Sequence, residues 1–369
     1  MLQCCNLEVV VSKAYLILEN GEIFEGERIG SDRDTVGELV FTTGMAGYTE
    51  TLTDPSYAGQ IVMQTFPLIG NYGITKEDFE GKCALKGYIV RELCETPSNF
   101  RCEDTAGRFL KDNDIPGICG IDTRAVTKII REEGVMNAAI CSGISDEELR
   151  SIKSRLSGYK ASDVVAQVSR SGISVFPAKG HKMYDVTLID YGAKKNIITS
   201  LQNLNCDVKV VPYDTPAENI LAGCPDGIML SNGPGDPKDN SYSIEQIKKL
   251  LGKVPVFGIC LGHQLTALAM GGETIKLKYG HRGANQPVKE VYGCRTYITS
   301  QNHGYAVVSE SLRGVGREIF YNANDMSCEG MEYPEKMCFT VQFHPEACGG
   351  PKDTGFLFGK FIDLMRRNK

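Results

Sequence analysis

From residue 185 to residue 270 the chain alternates short apolar runs with helix-patterned stretches, and this alternation constrains the fold more than any other feature of its 369 residues. The runs at 185–190, 208–213, 227–231 and 254–259 read as strands, and the stretches at 194–204, 217–222, 243–251 and 261–270 read as helices. These strands are largely apolar, which suits a sheet covered on both faces. Strand–helix alternation implies right-handed crossovers. The carboxyl-terminal half is therefore expected to be α/β, a doubly wound and mainly parallel sheet. In such sheets ligands sit beyond the carboxyl ends of the strands, so chemistry is to be sought there.

The strand at 254–259 runs straight into Gly258-Ile259-Cys260-Leu261-Gly262 and then a helix. Small residues flanking a nucleophile at such a junction form an elbow, because glycine permits the tight turn and the side chain stands at the helix start. The helix dipole and free amides favour thiolate there, and the Leu261 N–H is available to an oxyanion. A thiolate needs a base. Of five histidines, His344 closes an apolar run that includes Thr340-Val341-Gln342-Phe343. Pro345 stops that strand, and Glu346 can reach back to orient the imidazole, which completes a nucleophile–base–orienter relay. His263, three residues past the elbow, either approaches Cys260 or points into the core.

Two more segments belong to the same end of the sheet. Ser231-Asn232-Gly233-Pro234-Gly235-Asp236-Pro237 follows the strand before the elbow strand and can direct an N–H at a reacting carbonyl, although Pro-Gly and Asp-Pro are also plain turn formers. Gln301-Asn302-His303-Gly304-Tyr305 follows a strand-like run at 295–299 and offers polar groups suited to an amino acid's head group.

Residues 14–142 read differently. β-like runs at 14–18, 39–42, 61–65 and 87–90 are separated by Gly- and Pro-bearing turns. Helices are expected at 105–113 and 123–133, the second capped by Asp122 and stopped by Gly134. The expected organisation is a β-rich α+β domain over residues 1–150, a connector over 151–183 and the α/β domain over 184–369, with helical charge patterning at 145–157. Residues 1–11 lack the basic start of a secretion signal and read as an extension ahead of the first strand.

Composition narrows the function classes. Lys and Arg number 40 and Asp and Glu 46, a net charge of −6 without the basic excess of a nucleic-acid surface. There is no long apolar run suited to crossing a membrane. The 14 cysteines are scattered, with no CxxC, and read as free thiols of a reducing compartment, so a cytoplasmic protein is expected. Cys260, His263, His303, His344 and Cys348 show no zinc-like spacing, and no metal is expected.

Phe257-Gly258-Ile259-Cys260-Leu261-Gly262-His263-Gln264 resembles the nucleophile motif of the class I, triad-type glutamine amidotransferases, and Val341-Gln342-Phe343-His344-Pro345-Glu346 resembles their second motif. That likeness covers residues 185–369. In the first half, Phe41-Thr42-Thr43-Gly44-Met45-Ala46-Gly47-Tyr48-Thr49-Glu50, Leu52-Thr53-Asp54-Pro55-Ser56-Tyr57, Pro67-Leu68-Ile69-Gly70-Asn71-Tyr72-Gly73 and Gly120-Ile121-Asp122-Thr123-Arg124 resemble the amino-terminal domain of the small, glutamine-hydrolysing chains of carbamoyl phosphate synthetases, which other amidotransferases lack.

The resemblance implies that Cys260 attacks the side-chain amide of L-glutamine, that ammonia leaves and that a glutamyl thioester is hydrolysed, with His344 as base and Glu346 as its orienter. It implies glutamine contacts at Gly44, Gly233, Gly235, Leu261, Gln264, Asn302, Gly304 and Tyr305, with the Leu261 and Gly233 amides at the oxyanion. Serine is common in the family where Gly44 stands, and phenylalanine where Tyr305 stands. A division of labour is also implied. The chain has no Gly-x-x-x-x-Gly-Lys-Ser/Thr loop, so no cofactor is expected on it. ATP, magnesium and bicarbonate would belong to a large synthetase subunit, the expected partner, and the product would serve pyrimidine or arginine biosynthesis. A glutaminase subunit of another amidotransferase, a cysteine amidase or peptidase on a similar fold, and a non-enzymatic binding subunit remain alternatives.

Overall fold

The computed structural model describes residues 12–368; the reading of residues 1–11 lies outside them. The first unit is a closed barrel. Its strands lie in the spatial order Lys13–Leu18, Ile23–Gly30, Pro116–Cys119, Gly87–Ile89, Gln60–Gln64, Thr35–Thr42 and Met136–Cys141, and the last pairs back to the first. Alternate residues from these strands, among them Leu16, Leu39, Ile61, Ile89, Ile118 and Ile140, fill one core together with Val126 and Ile130 of the helix Thr123–Glu133. That helix begins and ends as expected: the Asp122 carboxylate accepts from the Arg124 and Ala125 amides, and Gly134 turns the chain away at φ 103°. The opposite face of the strands, with Val40, Val62 and Tyr88, packs on Phe109 and Leu110 of the helix Ala106–Asp112.

Helix Asp146–Gly158 starts at a capping box, in which Ser145 and Glu148 satisfy each other's backbone amides. Its Ile152 and Leu156, one turn apart, pack on Ile17, Val36 and Ala139 of the barrel. This helix spans residue 150, so the barrel unit runs to about Gly158. The end of the expected connector belongs to the other unit: Ser174–Phe176 pairs antiparallel with Cys206–Pro212.

The second unit is a 10-stranded sheet in the order Ser174–Phe176, Cys206–Pro212, Tyr184–Asp190, Gly227–Leu230, Val256–Ile259, Cys338–Val341, Cys328–Tyr333, Thr296–Val308, Glu273–Glu290 and Arg317–Asn322. From Cys206–Pro212 through Cys338–Val341 the pairings are parallel, with helices between successive strands as the alternation predicts. The alternation stops after the helix Leu261–Ala269. The remaining strands form an antiparallel flank, and residues 301–305, expected to follow a strand at 295–299, are the middle of the long strand Thr296–Val308. Their polar side chains break the apolar pattern that marks the start of the strand. In the fold they are paired with Glu273–Glu290, whose register shifts twice, between Lys276 and His281 and between Gly283 and Gln286. Such bulges re-aim side chains, here toward the site.

Beneath the elbow strand, Phe257 stacks on Phe339 with ring centroids 4.4 Å apart and meets Phe358 edge-on at 5.7 Å and Phe361 at 5.9 Å. Phe358 and Phe361 belong to the helix Phe356–Arg367. No helix among the described residues is long and apolar enough to cross a membrane. Phe257→Ala removes a fully buried ring from this stack and is expected to cost about 3–5 kcal/mol, read as a lower urea midpoint. An unchanged midpoint would mean that the cluster carries no stability.

Candidate active site

Cys260 stands at the junction of strand Val256–Ile259 and helix Leu261–Ala269 with φ 52° and ψ −102°, a conformation that costs a non-glycine residue roughly 1–3 kcal/mol. Neighbours hold it there. The Cys260 N–H donates to Val341 O at 2.8 Å, and the His263 and Gln264 amides donate to Cys260 O at 3.1 and 3.2 Å. A Cβ on Gly262 would sit 2.5 Å from Leu230 O, so only glycine lets the helix start this close to the adjoining strand. The thiol is 2% exposed and donates to Asn302 O at 3.7 Å. Burial pushes it up to about 12; the Asp54 charge adds to this, and Lys194 opposes it. The elbow therefore does not hold a resting thiolate as expected, because the loss of solvent outweighs the helix amides, including that of Leu261.

His344 Nδ1–H donates to Glu346 Oε1 at 2.7 Å, with both side chains almost fully buried. A carboxylate only accepts, so this bond sets the tautomer and leaves the lone pair on Nε2. That Nε2 is buried and has no hydrogen-bond partner among the described residues. Burial disfavours the Glu346 charge, but the His344 ring and Lys194 outweigh it and hold the carboxyl below the usual carboxylate range. His263 proves to be a core residue. It is fully buried, its Nδ1 lies 2.8 Å from Thr340 Oγ1, and burial lowers it to about 3.

Two cavities meet here. The larger, about 320 Å³, is lined by Cys260 together with Gly233, Gly235, Gln264, Asn302, Gly304 and Tyr305. The smaller, about 80 Å³, is lined by His344, Asp54, Lys194 and Gly44, and Asn302 lines both. Gly44 thus differs from the other expected glutamine contacts in facing the His344 side. The physical reason is the path of its loop: leaving the barrel, the Thr43 N–H bonds to Arg282 O at 3.4 Å, which lays the segment along strand Glu273–Glu290. Gly233 is forced by a close approach, since a Cβ there would lie 2.4 Å from Tyr191 O and 2.8 Å from Leu261 Cδ2. This brings the glycine loop against Leu261, and the Gly233 N–H makes no backbone hydrogen bond among the described residues. Gln264 Nε2 donates to Tyr305 O at 2.9 Å and to Gln342 Oε1 at 3.0 Å. Burial pushes the Tyr305 hydroxyl up, and the charge of Asp236 on the glycine loop adds to the shift.

Sequence reasoning missed the residues that join the units. Lys194 Nζ lies 3.2 Å from Asp54 Oδ2, with side chains 10% and 5% exposed. Asn302 Nδ2 donates to the same oxygen at 2.9 Å, and the Ser56 N–H donates to Asp54 Oδ1 at 2.9 Å. Burial opposes both charges, yet each partner stabilises the other, so Asp54 lies below and Lys194 above its ordinary value. Glu80, near the same lysine, is driven the other way: burial pushes its carboxyl up to about 7. Asp54 lies within one of the motifs quoted above. Nothing local to Lys194 marks it as its partner.

Known proteins match both units in the same order. The family model described as "Carbamoyl-phosphate synthase small chain, CPSase domain" matches residues 16–140, and the one described as "Glutamine amidotransferase class-I" matches residues 187–364. A carbamoyl phosphate synthase small chain from Listeria innocua is 50% identical over 362 residues, covering 96% of this chain and 97% of its own length. The chain belongs to the carbamoyl phosphate synthase small chain family. Relatives of that name from Bacillus caldolyticus and Bacillus anthracis are each 50% identical, over 356 and 359 residues, and cover 96% and 97% of this chain. In this family member the barrel is the part matched by the small-chain model, and it meets the amidotransferase sheet at the Asp54–Lys194 pair.

Lys194→Met leaves the Asp54 carboxylate buried and unpaired. It is expected to destabilise the chain by about 3–5 kcal/mol, and Asp54→Asn combined with it should recover much of that loss in a denaturant melt. A single-variant loss below about 1 kcal/mol would contradict a tightly coupled pair. Iodoacetamide labelling of Cys260, taken as the difference from Cys260→Ser, is expected to quicken about tenfold per pH unit up to roughly pH 10, because the thiolate fraction grows that way below a raised pKa. A plateau near neutral pH would show a resting thiolate.

Proposed function

We propose that this chain hydrolyses L-glutamine and passes the ammonia to a large carbamoyl phosphate synthetase subunit. The single observation that carries the reading is the buried His344–Glu346 pair, with its free Nε2, at the same sheet end as the strained Cys260 elbow. Glutamine would enter the larger cavity with its side-chain amide toward Cys260. Because the resting thiol is neutral, its proton passes to His344 Nε2 as the sulfur attacks the amide carbon. The Leu261 and Gly233 amides take the charge on the tetrahedral oxygen, and one such donor is typically worth about 3 kcal/mol. His344 then gives its proton to the leaving nitrogen, and ammonia departs from a γ-glutamyl thioester. Water attacks the thioester with His344 again as base, glutamate leaves and the sulfur regains its proton.

The barrel closes one wall of the cavity with Glu38, Ser56, Ala58 and Gln60. That enclosure suits a free amino acid and disfavours an extended peptide, which weighs against a cysteine peptidase. The large subunit would bind ATP, magnesium and bicarbonate, and the carbamoyl phosphate would feed pyrimidine or arginine biosynthesis.

Ammonia release from glutamine tests the reading. Wild-type chain should release it, and Cys260→Ser should lower the rate by roughly 10⁴-fold or more while the thermal melt stays in place. Near-wild-type hydrolysis by that variant would remove Cys260 from the reaction.

A further inference from the structure

Three neighbouring strands of the antiparallel flank each contribute one buried side chain to a common point. His281 on Glu273–Glu290 pairs in register with His303 on Thr296–Val308, their rings edge-on with centroids 4.9 Å apart, and Glu329 stands on Cys328–Tyr333. All three residues are buried, Glu329 completely, and one ligand atom from each lies within 4.8 Å of the others. They come from separate strands, so no short spacing announces them, and the sequence pattern points to no metal.

Donor accounting shows which atoms are left over. His281 Nε2 lies 2.8 Å from Asp325 Oδ2, and a carboxylate only accepts, so Nε2 carries the proton. His281 Nδ1 is then the free nitrogen, buried without a hydrogen-bond partner and 3.6 Å from Glu329 Oε1. His303 Nδ1 lies 2.8 Å from Tyr305 O, which also only accepts, and burial keeps that ring neutral, so its lone pair falls on Nε2. The neighbour of that lone pair is another acceptor, Gln301 Oε1, at 3.1 Å. Glu329 Oε2 is buried without a partner as well, while Asn322 Nδ2 donates to Oε1 at 3.2 Å. Acceptors therefore crowd together with no hydrogen between them, an arrangement that a cation resolves. The groups behind them fit too. A metal-bound imidazole typically gives its other N–H to a carboxylate or a backbone carbonyl, as His281 does to Asp325 and His303 to Tyr305 O. We propose that His281 Nδ1, His303 Nε2 and the Glu329 carboxylate bind a divalent transition ion, zinc being the best match to two imidazoles and one carboxylate. The ion would clamp three strands of the flank, the middle one carrying residues 301–305 to the larger cavity. None of the three ligands is assigned a step in the glutaminase reading, so the site stands apart from it.

The 14 cysteines of the chain also attract zinc, so cobalt(II) is the probe. Cobalt on thiolate absorbs strongly in the near ultraviolet, whereas nitrogen and oxygen ligands give only weak visible bands. The full chain, stripped with a chelator and equilibrated at length because the ligands are sealed, is expected to take up one tight equivalent of cobalt that shows the weak bands alone. Zinc(II) should displace it, and the metal-bound chain should melt at a higher temperature. Glu329→Gln and His281→Gln should each lose this equivalent. Asp325→Asn, which changes only the group behind His281, should weaken it by about ten- to a hundredfold. Cys260→Ser should keep it. The proposal is overturned if stripped wild type takes up no such equivalent, if the only bands are those of thiolate, or if Glu329→Gln and His281→Gln both keep it. The cation of the cluster is then a second proton on His281, which burial opposes but Asp325 and Glu329 favour, raising the ring to about 9. Should both ligand variants fail to fold, unchanged uptake by Asp325→Asn overturns the proposal.

Discussion

The arrangement depends on one buried ion pair at the seam between the barrel and the sheet. Asp54 leaves the barrel side and Lys194 the sheet side, and their contact at 3.2 Å is nearly sealed from solvent. Pairs of this kind cost much of what they gain, because both ions give up water. What this one supplies is position. The Asp54 carboxylate also takes the Asn302 side chain, and Asn302 lines both cavities and accepts from the Cys260 thiol. Further hydrogen bonds cross the same seam: Asn232 Nδ2 to Ser56 Oγ at 2.9 Å, and the Lys195 N–H to Glu80 O at 2.8 Å. Barrel and amidotransferase unit are therefore wired into a single site, and the barrel helps to build its walls.

The same charges act on the Cys260 thiol. Asp54 and Glu346 disfavour a sulfur anion, Lys194 and the Leu261 amide favour it, and burial exceeds them all. In the proposed reaction His344 takes the thiol proton: one of its nitrogens is committed to Glu346, and the other has no partner among the described residues. Arg282 is a further buried cation on the cavity wall, with its Nε unpartnered among the described residues. In the proposed reaction, substrate binding brings the amide to the sulfur.

Local features were legible because their causes are local. Strand, elbow and helix around Cys260 follow from an apolar run, two small residues and a helix start within about a dozen positions. The His344–Glu346 relay needs only a two-residue spacing and a proline that ends the strand. Cap residues at Asp122 and Ser145 and the stop at Gly134 marked their helices for the same reason. The expected strand at 295–299 stopped short of residues 301–305 because a polar strand is stable only when a partner strand and a lined cavity take up its groups.

The amino-acid sequence by itself determined the α/β class of the second half, the place of Cys260 at an elbow and the pairing of His344 with Glu346, since periodicity, glycine spacing and short-range reach need no knowledge of distant chain. The tertiary structure alone decided the closure of the barrel, the pairing of Asp54 with Lys194, the side of the site that Gly44 faces, the core burial of His263 and the neutral state of the Cys260 thiol. Each of these depends on which groups are excluded from water together. That exclusion is a property of the packed whole, because the dielectric and the partners around a charge come from segments far apart in the chain.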